Sequence, residues 1–80
     1  MYDIYVQADT LSAMVSALAL VGLAENDTIL ESSHIHALVL FSSGKGIVAA
    51  IRTTELKLAS AIKATSLTEV EKPENWAWAS

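Results

Sequence analysis

Residues 34–52 have the sequence HIHALVLFSSGKGIVAAIR, in which two apolar runs flank a short stretch rich in serine and glycine. The runs at 34–41 and 47–52 are apolar on both alternating sets of positions, which is typical of strands covered on both faces. The stretch Ser42-Ser43-Gly44-Lys45-Gly46 between them is typical of a hairpin loop, and its two glycines tolerate positive φ. These residues therefore predict a β-hairpin.

Upstream of this hairpin, the pattern predicts a strand followed by a helix. Residues 1–7 alternate between apolar and polar side chains, as a half-buried strand does. Asp9 can cap a helix over 10–21, and Gly22 can end it because glycine enters the left-handed conformation at low cost. One apolar stripe at helical spacing contains Leu11, Met14, Val15, Leu18 and Val21.

Downstream, a second helix and a weaker strand follow. Thr53 can cap a helix over 54–64, and the charged stretch 66–71 predicts a strand at a sheet edge. Pro73 ends that strand, which leaves a short tail carrying two tryptophans. The segment 25–33 is polar and rich in turn-forming residues, with Ile29-Leu30 expected to tuck inward.

The order of predicted elements is β-α-β-β-α-β, which indicates an α+β, ferredoxin-like fold. We expect a four-stranded antiparallel sheet with its first and third strands in the centre and both helices on one face. The residues divide into one domain over 1–72 and a tail over 73–80. Because the strands at 34–41 and 47–52 are apolar on both faces, the sheet face without helices also needs a cover.

The composition favours a protein partner. The chain has 80 residues, of which 52% are hydrophobic and only 18% charged, and it contains no cysteine. Small domains have much surface to cover, so we expect part of the apolar surface to lie against another chain, most simply in a homo-oligomer. The net charge of -4 argues against nucleic-acid binding. The apolar run over 11–24 is too short to span a bilayer, and no targeting segment is visible.

The back of the first predicted helix carries no charge, although a solvated helix face normally does. Either a neighbouring loop of the same chain covers this surface, or a second subunit contacts it. In the second case the contact residues are Ser16, Leu20 and Leu23, next to Ser12 and Ala13.

Trp76 and Trp78 are the most conspicuous residues of the tail. At positions i and i+2 of an extended segment, their side chains face the same way. They either pack on their own domain and cover the exposed sheet face or its edge, or dock into a partner as interface anchors.

The sequence contains only weak candidates for chemistry. His34 and His36 face the same way on a strand and could share a metal ion, but a zinc site needs three or four ligands. Ser43-Gly44-Lys45-Gly46 lacks the first glycine and the hydroxyl residue of a phosphate-binding loop. No nucleophile, base and orienting group form a recognisable set. We therefore predict no catalytic residues, no metal site and no cofactor, with a metal-assisted role of the two histidines as a minor alternative.

Several short motifs resemble one family of proteins. The strand YDIYV at 2–6, the segment IRTTEL at 51–56, the triplet PEN at 73–75 and Trp78-Ala79 are similar to segments of small uncharacterised proteins of tailed bacteriophages, encoded near tail and lysis genes. The resemblance covers about residues 1–23 and 51–79. Trp76 stands where that pattern has proline. The family has no established activity, so the resemblance assigns no functional residue.

Two functional hypotheses follow for a protein of this kind. The first is a non-catalytic interaction protein, such as a phage virion component or assembly factor. The second is a phage-encoded inhibitor or host-takeover protein that binds a bacterial enzyme or defence complex. The resemblance places the chain either in the cytoplasm of a bacterial host or in the virion.

Overall fold

A computed structural model describes residues 1–26, 28–29, 35–74 and 76–78 of the chain. Within these residues it contains two helices and six strands, two of the strands forming a small separate hairpin. In chain order the elements are β1 (Tyr2–Ala8), α1 (Leu11–Ala19), β2 (Ala24–Glu25), β3 (Thr28–Ile29), β4 (Ala37–Ser43), β5 (Gly46–Thr53), α2 (Leu56–Lys63) and β6 (Thr68–Glu69).

The main sheet has four antiparallel strands in the order β4-β5-β1-β6. Its central strands are β5 and β1, which pair along their whole length from Tyr2↔Thr53 to Ala8↔Ile47. The α+β class and the antiparallel four-stranded sheet are therefore confirmed. The strands β2 and β3 form a separate two-stranded hairpin.

Both helices pack on the same face of this sheet. Alternation along a strand directs every second side chain to that face, so Ile4 of β1 and its partner Ile51 of β5 point together toward the helices. The cluster they form is apolar and almost completely buried. Its largest fully buried members are Ile4, Val6, Met14, Leu18, Leu23, Ile51 and Ile62.

Helix α1 is shorter than its pattern predicts. It begins after Thr10, whose hydroxyl accepts a hydrogen bond from the Ala13 amide, so the predicted cap at Asp9 is wrong by one residue. At the other end Gly22 has φ +79°, and the Leu23 amide donates to the Leu18 carbonyl. This is the bonding of a Schellman motif, in which a left-handed glycine reverses the chain.

The segment after α1 contains structure that the sequence pattern did not indicate. The segment 25–33 is predicted to be rich in turns, but β2 and β3 pair as a short hairpin, with Asn26 at φ +51°. Asparagine tolerates this left-handed conformation better than most residues do. Ile29 is half-buried against the core, as expected, whereas Leu30 lies outside the described residues.

The second helix and the last strand form where they are predicted, but their first and last residues differ from the prediction. Helix α2 has Glu55 rather than Thr53 at its N-cap position, and the buried Thr53 hydroxyl instead accepts from the Glu55 amide. Only Thr68–Glu69 of the stretch 66–71 is a strand, and it pairs with β1 at the sheet edge. Neither described helix is long and apolar enough to cross a membrane.

The β4–β5 hairpin forms where it is predicted, and one glycine fixes its geometry. Ser43 pairs with Gly46, which leaves the two-residue loop Gly44-Lys45. Gly46 has φ +133°, and a Cβ atom at this position would collide with the Ala8 carbonyl oxygen. The backbone of β1 therefore approaches the hairpin at a point where only glycine fits.

We expect Gly46→Ala to lower the free energy of unfolding by about 1–3 kcal/mol, because alanine would be strained at this φ and would push β1 away. Gly44→Ala is the matched control, since Gly44 has open space around it and no positive φ. Urea unfolding followed by circular dichroism should show a change within about 0.5 kcal/mol for the control. Equal stability of the two variants would contradict the assigned role of Gly46.

Candidate protein-interaction surfaces

The outer sheet face, meaning the face opposite the helices, carries both polar and aromatic side chains. Asp3, Tyr5 and Gln7 of β1 point to it because they alternate with the buried Ile4 and Val6.

The cross-strand partners of Asp3 and Tyr5 on β5 are Arg52 and Ala50. On β4, Phe41 lies opposite Val48 of β5 on this same face.

Trp76 of the C-terminal tail lies across the middle of the outer sheet face. Its ring stacks on Phe41 at 5.2 Å between centroids and 8° between planes. It also meets Tyr5 edge-on at 5.9 Å. Because β5 lies between the strands that carry these two residues, Trp76 lies over β5, whose outward-facing Val48 and Ala50 are almost completely buried. Offset-stacked and edge-to-face pairs are both favourable ring arrangements.

Trp78 makes polar as well as apolar contacts on the same face. Its indole Nε1 donates a hydrogen bond to the Tyr5 hydroxyl at 2.9 Å. The Arg52 guanidinium carbon lies 4.4 Å from the centre of its ring, within the range of a cation–π interaction. Trp78 also packs edge-on against Trp76 at 4.8 Å. We call the set Tyr5, Phe41, Trp76 and Trp78 the aromatic cluster.

Asp3 holds the guanidinium of Arg52 in position beside this cluster. The carboxylate accepts two hydrogen bonds, from Nε at 2.7 Å and from Nη2 at 3.0 Å. This bidentate geometry is the strongest that arginine and a carboxylate adopt. The hydrogen bond from Arg52 lowers the pKa of Asp3 from its usual value of 3.8, against a smaller opposing effect of desolvation.

The structure therefore places both tryptophans on the chain's own sheet, which is the first of the two alternatives predicted for them. The sequence left the choice open because the spacing of the two rings does not show what they cover. It also did not identify Phe41 and Arg52 as their contacts. The alternation of Asp3 and Tyr5 with apolar residues along 1–7 was the feature of the sequence from which the outer sheet face could have been predicted. A partner-binding role of Trp76 and Trp78 stays a prediction.

The second surface is the solvent side of α1. No residue of the helix is charged, and Ser12, Ser16 and Ala19 are exposed along it. Leu20, at the C-terminal end of the helix, has 80% of its surface exposed. We call Ser12, Ser16, Ala19 and Leu20 the α1 surface. Of the contact residues predicted from sequence, Ser16 and Leu20 lie on this surface.

Leu23 was predicted to belong to the same surface, but it has only 2% of its surface exposed and lies in the core. The prediction placed Leu23 on the back of the helix, although α1 ends at Ala19 and Leu23 follows the turn at Gly22. Because the chain reverses at Gly22, the Leu23 side chain turns back onto the buried side of α1. Leu23 therefore supports the helix from inside and is not available to a partner.

The remaining candidates form no site within the described residues. His36 is exposed, His34 lies outside those residues, and no three His, Cys, Asp or Glu side chains are grouped to hold a metal ion in the part that is described. A shallow hollow of about 220 Å³ lies between the end of β1, the start of α1 and residues 66–68. Its only titratable lining residue is Asp9, so it contains no acid–base pair.

Comparison of the chain with protein-family models, curated proteins and solved structures gives no match.

The hydrogen bond between Trp78 and Tyr5 predicts a measurable effect of one hydroxyl group. We expect Tyr5→Phe to lower the free energy of unfolding by about 1 kcal/mol, because the indole N–H loses its acceptor. Tyr2→Phe is the control, since Tyr2 is an exposed tyrosine of the same strand, and its change should stay within about 0.5 kcal/mol. Urea unfolding followed by tryptophan emission measures both. Identical midpoints for Tyr5→Phe and the wild type would refute the bond.

The Asp3–Arg52 pair predicts a contribution to stability that depends on pH. Since the pKa of Asp3 is lower in the folded chain, its contribution is complete above pH 3.8 and is lost as the pH falls through the folded value. The side chains of both residues are partly exposed, so screening by solvent keeps the contribution small. The free energy of unfolding, measured by urea unfolding at pH 6 and at pH 2, should therefore differ less between the two pH values in Asp3→Asn than in the wild type. An unchanged difference would show that this carboxylate does not contribute.

Proposed function

We propose that the chain is a non-catalytic protein-interaction domain that associates with itself through the α1 surface. The observation that carries this proposal is the position of Leu20, which is 80% exposed at the end of a helix surface without charge. A solvated helix normally presents charged residues on its outer side. Covering a leucine side chain completely contributes about 1.5–3 kcal/mol, which makes this position a strong contact point.

The α1 surface is suited to a second copy as the partner because it carries no charge. Each chain has a net charge of -4, so two copies repel one another at long range. The α1 surface is a place where two copies can meet without bringing like charges into contact. The small side chains of Ser12, Ser16 and Ala19 would let two such helices approach closely, and a two-fold axis would bring both Leu20 side chains into one contact.

We propose in addition that the fold is of the ferredoxin-like class. If the β2–β3 hairpin is treated as an insertion, the remaining strands have the order fourth, first, third and second across the sheet. This order and the placement of α1 and α2 on one face support a split β-α-β arrangement. The hairpin is an addition to that arrangement.

The resemblance to small proteins of tailed phages supports a role in the virion or in its assembly, where self-association is a common requirement. The second hypothesis, an inhibitor of a host enzyme or defence complex, would use the same exposed surface against a different protein. The oligomeric state in solution distinguishes the two, because only the first proposal requires contacts between copies.

We expect Leu20→Glu to convert the associated chain to a monomer without unfolding it, because a buried carboxylate at the contact would be unpaired. Light scattering coupled to size exclusion, at several concentrations, measures the mass. Leu56→Glu is the matched control, since Leu56 is a leucine of α2 with 59% of its surface exposed. The control should keep the mass of the wild type.

Either of two results would reject self-association through this surface. One is a wild-type chain that is monomeric at every concentration, which would favour the inhibitor hypothesis. The other is a Leu20→Glu chain that associates as the wild type does, which would place the contact elsewhere. Circular dichroism of both variants checks that the fold is intact.

A further inference from the structure

The tail is attached to the outer sheet face by side chains. Two hydrogen bonds shape the tail internally: the Trp76 amide donates to the Pro73 carbonyl, and Lys72 Nζ donates to the Trp76 carbonyl. Among the described residues, the last backbone bond that joins the sheet to this segment is earlier, from the Val70 amide to the Tyr5 carbonyl. In that part of the chain, the contacts between the sheet and the tail are ring contacts, a cation–π contact and the bond between Trp78 and the Tyr5 hydroxyl.

The face that receives the tail is built on three strands of the sheet. Tyr5 is on β1, Phe41 on β4 and Arg52 on β5, and Asp3 fixes the guanidinium with two hydrogen bonds. A site carried on paired strands keeps its geometry better than one carried on loops. The face therefore holds the two indole rings at two places, one over Phe41 and one against the guanidinium of Arg52.

We propose that the outer sheet face is a binding site for a Trp-x-Trp segment and that it accepts the tail of a second copy in exchange for its own. The argument for this occupant is the bound segment itself. A second copy presents the same two tryptophans at the same spacing, so exchange replaces each contact within the chain by the identical contact between chains. Exchange of an identical element between protomers is a low-cost route to a dimer.

This site is independent of the α1 surface, because the helices and the tail lie on opposite faces of the sheet. The attached tail has the advantage of proximity, since a short tether gives an effective concentration in the millimolar range. In the wild-type chain, exchange therefore requires high concentration. The advantage of the attached tail can be removed with two different chains. One chain has a tail without tryptophans, and the other binds its own tail weakly.

Two full-length variants test the proposal by complementation, both carrying Leu20→Glu so that the α1 surface does not contribute. The acceptor chain carries Trp76→Ala and Trp78→Ala, which leaves its outer face empty. The donor chain carries Phe41→Ala, which removes the ring that stacks on its own Trp76. Each chain alone should have the mass of one chain, and an equimolar mixture at up to about 1 mM should reach the mass of two.

Tryptophan emission gives a second readout of the same mixture. The chain has only two tryptophans, both in the tail, so all tryptophan emission comes from the donor. We expect a blue shift on mixing, as the donor rings enter the acceptor face. A mixture that keeps the mass of one chain, with unchanged emission, would overturn the proposal. A mixture that associates only when Leu20 is intact would place the contact at the α1 surface and would also overturn tail exchange, whereas failure of Leu20→Glu to dissociate the wild-type chain would contradict only the α1 surface.

A measurement on the wild-type chain covers the case in which a variant does not fold. With 5-fluorotryptophan incorporated, the two tail residues give two ¹⁹F resonances. Unlabelled peptide PENWAWAS, the sequence of residues 73–80, should move both resonances to the positions of the released tail at millimolar peptide. The control peptide PENWWAAS has the same composition with adjacent tryptophans and should have no effect. Unmoved resonances, or equal displacement by the control, would overturn the proposal.

Discussion

Burial of β5 on both of its faces is the constraint on which the rest of this structure depends. Ala49 and Ile51 face the helices, Val48 and Ala50 face the other way, and all four are almost completely buried. Two short helices can cover only one face of a sheet. A second layer is therefore needed on the outer face, and the indole rings of the tail supply it. The tail thus lies over β5, the most completely buried strand of the main sheet.

The outer layer differs chemically from the inner one. On the helix side the contacts are between apolar, almost completely buried side chains. These side chains pack densely but form no directional bonds with one another. On the outer side an indole N–H meets a phenol, and a guanidinium held by a carboxylate lies over a ring. Such contacts are partly solvated and individually modest. They fix the orientation of the rings more than they add to stability.

The sequence predicted those features of the fold that depend on periodicity or on glycine. Alternation along β1, the apolar runs of β4 and β5 and the stripe of Met14, Val15 and Leu18 all gave elements close to the observed ones. It failed where the path of the chain depends on a local reversal. The turn at Gly22 moved Leu23 from the expected surface into the core, and the β2–β3 hairpin was not recognised because two-residue strands have no measurable period.

The candidate surfaces show the same division. That the outer sheet face needs a cover follows from the composition of β5, whereas the identity of the cover depends on contacts between positions far apart in the chain, such as Phe41 and Trp76. With the tail in place, a few large apolar side chains stay exposed to solvent. Leu20 has the largest exposed fraction among them. The described tail residues cover the sheet from the side opposite α1, so they do not reach the α1 surface, where Leu20 stays exposed.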